Sequence, residues 1–175
     1  METFLSNAYI GLHLEPESGL AVMKLNITEK LGKVLGYSKK HHLTLDYLGS
    51  IHLDTLESLT FWTRVTLLLA NKGLPIRLGA PTHLLSDVTW EDIFYLPAES
   101  DNWLFWHFRY QWYSIRTPHV TLLKWRNLTE AQIHKTLFAI KEIIPSSWLS
   151  LMTSEVFCHW KDENWDDITK SFHVI

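Results

Sequence analysis

Two short segments of this chain share a spacing of histidine and threonine that suits acid–base chemistry. His42-Leu43-Thr44 and His119-Val120-Thr121 each have an apolar residue between His and Thr, and each is followed by Leu. Residues two apart lie on the same face of a β-strand, so His and Thr of each copy share one face while their apolar neighbours point into a core. Two such strands side by side would bring together two imidazoles and two hydroxyls. One imidazole could take a proton from a reacting group and the other could donate one.

A third His-x-Thr sequence, His134-Lys135-Thr136, serves as an internal control. It lies in residues 129–144, where apolar residues recur at helical spacing and Pro145 closes the segment. Residues two apart on a helix do not face each other. This copy is therefore predicted to be a coincidence on a helix rather than part of a site.

The two strand copies resemble the paired motifs of the two-histidine (2H) phosphoesterase superfamily. The residues that carry the resemblance are 42–49, His-Leu-Thr-Leu-Asp-Tyr-Leu-Gly, and 118–124, Pro-His-Val-Thr-Leu-Leu-Lys. The superfamily includes LigT-like bacterial RNA 2′,3′-cyclic phosphodiesterases (also called 2′-5′ RNA ligases), viral 2′-5′ oligoadenylate phosphodiesterases and phage enzymes that destroy cyclic oligonucleotide signals. The resemblance implies a bilobal α+β fold with two antiparallel sheets, outer helices related by a pseudo-two-fold, and an active-site groove between the lobes.

The same resemblance implies what the protein does. It predicts a single two-lobed domain over residues 1–175 and a phosphoric diester hydrolase that needs no metal or other cofactor. His42, Thr44, His119 and Thr121 would be its catalytic residues, with the roles of acid and base not assigned between the two histidines. Substrates would be 2′-5′ linkages, small cyclic oligonucleotides or 2′,3′-cyclic phosphates, and one form of this function is a viral enzyme that degrades a nucleotide immune signal.

Four residues that lie near the motifs in the sequence are predicted to bind the substrate. Tyr9 lies on the first predicted strand, Tyr37 precedes the first motif, and Tyr113 and Arg116 precede the second. Residues that enter an active-site strand from a loop often surround the ligand. An arginine there can hold a phosphate with its planar set of N–H donors.

Charge and cysteine content narrow the classes of partner. A formal net charge of −3 argues against binding to duplex DNA, which needs many cations to neutralise phosphates. A few cations in one cleft can still bind a small anion.

Cys158 is the single cysteine, so a reducing, cytoplasmic compartment is predicted and the thiol is expected to be a buried apolar group. No stretch approaches the roughly twenty apolar residues of a membrane span, and the first residues lack the basic region of a secretory signal. The oligomeric state stays open.

Three other functions are alternatives to a phosphodiesterase with two histidines. A metal site needs three or four ligands with organised spacing, and a serine nucleophile of the common hydrolase type needs a Gly-x-Ser-x-Gly turn; the sequence offers neither pattern. A non-catalytic module that binds or sequesters a nucleotide in the same cleft stays open, although it would not need the acid–base pair.

The sequence contains nine tryptophans. Their side chains could either pack in the core or stack on the bases of a nucleotide.

The pattern of apolar residues predicts the elements that hold the motifs. We expect a first strand at 8–14, a motif strand ending at Gly49, the second motif strand after Pro118, and a helix at 53–70 with its stop signal at Asn71-Lys72-Gly73. The remaining predictions are strands at 74–79 and 92–96, helices at 28–35 and 129–144, a segment at 103–112 that is ambiguous between helix and strand, and a hairpin formed by 150–160 and 168–175. The order is strand, motif strand, helix, strands, and then motif strand, helix, strands again, which indicates two similar lobes.

Overall fold

The computed structural model describes residues 4–13, 42–69, 73–86, 89–99, 118–143, 148–152 and 155–173. Within these ranges the chain forms nine strands and two helices, which confirms the predicted α+β class. The elements in chain order are β1 (Phe4–His13), β2 (His42–His52), α1 (Leu53–Leu69), β3 (Gly73–Leu78), β4 (Thr82–Leu85), β5 (Asp92–Glu99), β6 (His119–Trp125), α2 (Glu130–Ile143), β7 (Trp148–Met152), β8 (Glu155–Lys161) and β9 (Asp167–His173).

The described strands form one continuous antiparallel sheet rather than the two separate sheets that the sequence analysis expected. Its order is β7-β3-β5-β6-β2-β1-β8-β9, with β4 added to β5. Strands β2 and β6 join the two halves of this sheet, and the register between them sets Thr44 opposite His119. The two predicted sheets are continuous because the motif strands themselves pair at Thr44 and His119.

The alternating apolar residues of the central strands lie in one hydrophobic core. Leu43, Leu45 and Val120 are fully buried there, as the strand period requires for residues that flank His and Thr. Helix α1 contributes Leu56 and Leu67 to the same core. Burial of each such leucine stabilises the fold by about 1.5–3 kcal/mol.

Helix α2 begins with a reciprocal cap and carries the control sequence. The Gln132 backbone N–H donates to the Thr129 hydroxyl at 3.3 Å, and the Thr129 backbone N–H donates to Gln132 Oε1 at 2.8 Å, which is a capping box. The His134 side chain is exposed, and its Nε2 lies 3.8 Å from Glu130 Oε1. Thr136 is buried and donates its hydroxyl to the Gln132 carbonyl. The prediction that this His and Thr do not share a face is confirmed.

Most of the predicted elements that fall on described residues are confirmed. The exception is the segment 150–160, which forms two strands: β7 pairs with β3, while β8 forms the expected hairpin with β9. Strand β4 was not predicted, because its four residues are only partly buried or exposed and show no apolar alternation. The segments 28–35 and 103–112 lie outside the described residues. In the part of the chain that the structure describes, neither helix has the length and apolar character needed to cross a membrane.

Candidate active site

The two motifs lie side by side in one cleft of about 760 Å³. His42, Thr44, His119 and Thr121 all line it, as the sequence analysis expected. Thr44 and His119 are direct partners across the β2–β6 junction. The antiparallel direction therefore brings both His-x-Thr faces to the same surface of the sheet.

The strand pair β1–β2 supplies the first motif with a bulge directly after it. Gly11 lies opposite Thr44 and Tyr9 lies opposite Tyr47, so three steps along β2 match two steps along β1. Leu45 is the extra residue, since Ile10 pairs with Asp46 on the far side of the irregularity. A bulge of this kind shifts the alternation of side chains by one residue, and Tyr47 consequently lines the cleft with the motif.

The strand pair β5–β6 repeats the same register around the second motif. Tyr95 lies opposite Thr121 and Ile93 lies opposite Lys124, and Leu122 is the extra residue. Lys124 therefore lines the cleft together with Thr121. Each motif is followed by an equivalent bulge and then by a side chain that returns to the cleft: Tyr47 in one half and Lys124 in the other.

Aromatic rings hold the first histidine from two sides. The Tyr9 ring stacks on His42 with centroids 5.6 Å apart, and the Phe157 ring meets His42 edge-on at 5.5 Å. Phe157 can reach this position because Gly11 lies beneath it. A Cβ at Gly11 would lie 2.6 Å from Phe157 Cζ and 3.0 Å from the Leu43 carbonyl oxygen. The glycine is thus required by the close approach of a ring to the strand.

The second histidine has an aromatic neighbour from its own strand pair. The Tyr95 ring meets His119 at 5.3 Å with an interplanar angle of 65°. Tyr95 occupies the register position that Gly11 occupies in the other half. Each motif histidine therefore lies beside an aromatic ring, which limits the orientations of the imidazole.

One end of the cleft is aromatic and contains a third histidine. Tyr9 lies between His42 and His159, with the His159 ring 4.7 Å away. Burial raises the pKa of the Tyr9 phenol, and the nearby Asp167 carboxylate adds to the shift. Burial also lowers the pKa of His159, although Asp167 partly opposes that shift through a contact of 3.1 Å. The phenol and the His159 imidazole are accordingly favoured in their neutral forms.

Hydrogen bonds and ion pairs order the other side chains at the aromatic end. The Tyr47 hydroxyl donates to Asn7 Oδ1 at 2.6 Å. Lys161 Nζ lies 2.7 Å from Asp167 Oδ1, and this contact is the main cause of the lowered pKa of Asp167. The aromatic end therefore combines ring surfaces with a cation that is already paired.

Another part of the cleft carries two cations around one carboxylate. Arg126 Nη2 lies 3.2 Å from Glu91 Oε1, and Lys124 Nζ lies 3.9 Å from Glu91 Oε2. The Thr89 hydroxyl donates to Glu91 Oε2 at 3.1 Å. All four residues line the cleft, and the three ionised side chains together leave one net positive charge there.

Of the four predicted substrate-binding residues, the structure describes Tyr9 alone. Tyr9 lines the cleft, while Tyr37, Tyr113 and Arg116 lie outside the described residues. Cys158 is buried and unlinked, as expected. Across the described ranges, no group of three or more His, Cys, Asp and Glu side chains is placed to hold a metal ion.

Several residues that line the cleft or support its histidines were not predicted from the sequence. Gly11 carried a usable signal, because a glycine inside a strand often marks close approach of another group. Lys124 lies within the second motif segment, but strict alternation from Thr121 would have turned it away from the site. Phe157 and Tyr95 carried no signal, since aromatic residues are common in strands for packing reasons.

Comparisons with known proteins support the fold. No family model and no curated protein sequence matches the chain. Among solved structures, it is similar to E. coli LigT complexed with phosphate, at 16% identity and a TM-score of 0.50 over 98% of this chain and 96% of that chain. It is also similar to Kluyveromyces marxianus Usb1 with uridine monophosphate, at 13% identity and a TM-score of 0.51 over 96% of this chain and 97% of that chain. At these identities the likeness establishes a shared fold along nearly the whole chain.

Proposed function

We propose that this chain, which has the fold of the two-histidine phosphoesterases, is a metal-independent phosphodiesterase that acts on small RNA-derived phosphodiesters. One observation carries the proposal: both His-x-Thr faces line a single cleft, with Thr44 directly opposite His119. A shared fold alone would not indicate chemistry. The convergence of two imidazoles and two hydroxyls supplies the chemical argument.

In the proposed reaction, one motif histidine is neutral and takes a proton from the attacking water or ribose hydroxyl. The new P–O bond forms as the P–O bond to the leaving group breaks, and the other histidine, initially protonated, donates its proton to the leaving oxygen. Thr44 and Thr121 donate hydrogen bonds to the non-bridging oxygens, where negative charge grows in the transition state. Both proton transfers are thus assigned to side chains. The mechanism has no step that needs a metal ion.

The aromatic end of the cleft supports a nucleotide as substrate. Tyr9 and Tyr47 line the cleft there, and stacking of a base on an aromatic ring contributes about 1–3 kcal/mol. The phosphate and uridine monophosphate in the two similar structures fit a small nucleotide ligand. Tyr37, Tyr113 and Arg116 remain proposed substrate-binding residues, and the compartment that we propose is the cytoplasm.

The decisive experiment is a cleavage panel in excess EDTA. Cyclic di- and trinucleotides, 2′-5′ oligoadenylates and 2′,3′-cyclic nucleotides are incubated with the protein and the products are separated by chromatography. We expect turnover of at least one class, at a rate that the chelator leaves unchanged and that His42→Ala abolishes. Activity that EDTA removes and a divalent ion restores would contradict the mechanism. Tight nucleotide binding without turnover of any class would instead favour the sequestering module.

A further inference from the structure

The bulge in β6 changes which side chains of that strand reach the cleft. Without it, the alternation that brings His119 and Thr121 to the cleft would continue at Leu123 and would turn Lys124 away. With Leu122 as an extra residue, Leu123 pairs with Phe94 and is almost fully buried, although it still borders the cleft. Lys124 pairs with Ile93 and also lines the cleft. Bulges next to active sites commonly redirect a side chain in this way.

The redirected lysine lies along the same strand as the reacting groups. Lys124 is three residues beyond Thr121, a distance of about 7–10 Å at the usual rise of a strand. Arg126 also lines the cleft. A ligand whose phosphate lies between His42 and His119 would therefore extend toward these two cations if it continued along β6.

Glu91 orders these cations without neutralising both of them. The single carboxylate lies 3.2 Å from the Arg126 guanidinium and 3.9 Å from the Lys124 ammonium, and Thr89 holds it in place. The lysine and arginine side chains are 45% and 59% exposed, against 21% for Glu91. Their remaining N–H donors can therefore be reached by an anion from the cleft, and a guanidinium and an ammonium together suit a phosphate.

The position after the β2 bulge, which corresponds to Lys124 in the other half, does not carry a cation. Tyr47 follows the β2 bulge as Lys124 follows the β6 bulge. Tyr47 is an aromatic residue that donates its hydroxyl to Asn7. The equivalent backbone bulge therefore presents an aromatic residue in one half and a cation in the other, so the pair of cations is not repeated.

We propose that Lys124 and Arg126 form an outer phosphate subsite, which holds a second phosphate adjacent to the one that is cleaved. The inference rests on the proposed function and narrows it. The preferred substrate is an oligonucleotide, or a nucleotide with a further phosphate, rather than a compound with a single phosphodiester.

Binding of simple nucleotides tests the subsite without requiring turnover. Adenosine 3′,5′-bisphosphate, adenosine 3′-monophosphate and adenosine 5′-monophosphate are titrated calorimetrically into the wild-type protein. Charge-assisted hydrogen bonds to the second phosphate should make the bisphosphate bind about 10–100-fold more tightly than the better monophosphate. In the Lys124→Gln, Arg126→Gln double variant this preference should disappear. Both substitutions are at exposed positions, and thermal unfolding of the variant checks that the fold is kept.

Lys161→Gln is the matched control. Lys161 also lines the cleft, at the aromatic end, and its removal changes the charge of the cleft in the same direction. The preference for the bisphosphate should survive this substitution if the second phosphate has a defined location. Equal loss in Lys161→Gln would show a general charge effect and would overturn the subsite.

Two other outcomes also count against the subsite: a bisphosphate that binds no more tightly than the monophosphates, and no binding of any of the three nucleotides. Failure of the proposed function has a separate signature. The cleavage panel would then give no product, while the preference for the bisphosphate and its loss in the double variant would persist. The protein would in that case be a nucleotide-binding module that uses the same subsite.

Discussion

The two halves of the site place an aromatic ring beside each motif histidine by different routes. In the β5–β6 half, Tyr95 lies opposite Thr121 and its own ring packs on His119. In the β1–β2 half, the same register position is Gly11, and the ring beside His42 comes from Phe157 on the next strand. Two sequences that look unrelated at this position thus give the same local environment.

The position of the ring therefore matters more than the residue that supplies it. A ring beside the imidazole restricts its rotation, and restricted orientation is what a proton-transfer group needs. The first half depends on three separate residues to achieve this: Gly11, Phe157 and Tyr9, whose ring stacks on His42 and also meets Phe157 edge-on at 5.8 Å. The second half depends chiefly on one, so the two halves should respond differently to substitution.

Removal of either motif histidine should have the largest effect. His42→Ala or His119→Ala removes one proton-transfer group and should lower kcat about 10²–10⁴-fold. The two groups act in one step, so the double variant should be little slower than the slower single variant. Single-turnover rates on the best substrate of the panel measure this.

His134→Ala is the control for the histidine variants. Its side chain is 74% exposed on helix α2, and its loss should leave turnover and unfolding unchanged. Full activity of His42→Ala, or independent multiplicative losses in the double variant, would contradict a concerted acid–base pair.

Gly11→Ala should be the next most damaging change, and it acts first on stability. The new methyl group would meet the Phe157 ring at 2.6 Å, and overpacking of this kind costs about 1–3 kcal/mol of unfolding free energy. Displacement of the ring should also lower kcat, because the ring borders His42. Denaturant unfolding and kinetics on the same samples measure both effects.

A double-mutant cycle identifies the cause of the Gly11 effect. In a Phe157→Leu background the ring is absent, so Gly11→Ala should lose most of its cost. An unchanged cost in that background would mean that the alanine acts through the backbone rather than through Phe157.

Removal of a threonine hydroxyl should have a smaller effect than removal of a histidine. Thr44→Ala or Thr121→Ala deletes one hydrogen bond to a charged phosphate, which predicts a loss of about 10–100-fold in kcat. Thr44→Ser and Thr121→Ser keep the hydroxyl and should retain most of the activity. A serine variant as slow as the alanine variant would show that the methyl group, and hence packing, is what matters.

The smallest effect is expected for Tyr9→Phe, and it concerns pH. The rate should follow a bell-shaped profile whose limbs belong to the coupled histidine pair. Burial raises the pKa of the Tyr9 phenol, so the phenol stays protonated and neutral across the alkaline limb and does not cause it. Tyr9→Phe keeps the ring on His42 and should leave both limbs in place. Loss of the alkaline limb in this variant would assign that limb to the phenol.

The four motif residues could be predicted from the sequence, whereas most of the residues that surround them could not. His42, Thr44, His119 and Thr121 could be identified because alternation along a strand is a local property. Lys124 and Tyr47 could not, because each reaches the cleft through a bulge that depends on pairing with a neighbouring strand. Phe157 was missed for a similar reason, since its role depends on the distant Gly11.

The junction between β2 and β6 has a mechanical consequence. Strands β1 and β2 pair along nearly their whole length, whereas the register described between β2 and β6 joins Thr44 to His119. Each half carries one histidine of the proposed proton-transfer pair, so a change of twist at this junction would alter the distance between the two imidazoles. Because the register described between β2 and β6 is this short, amide exchange should be faster for Thr44 and His119 than for the paired core of β1.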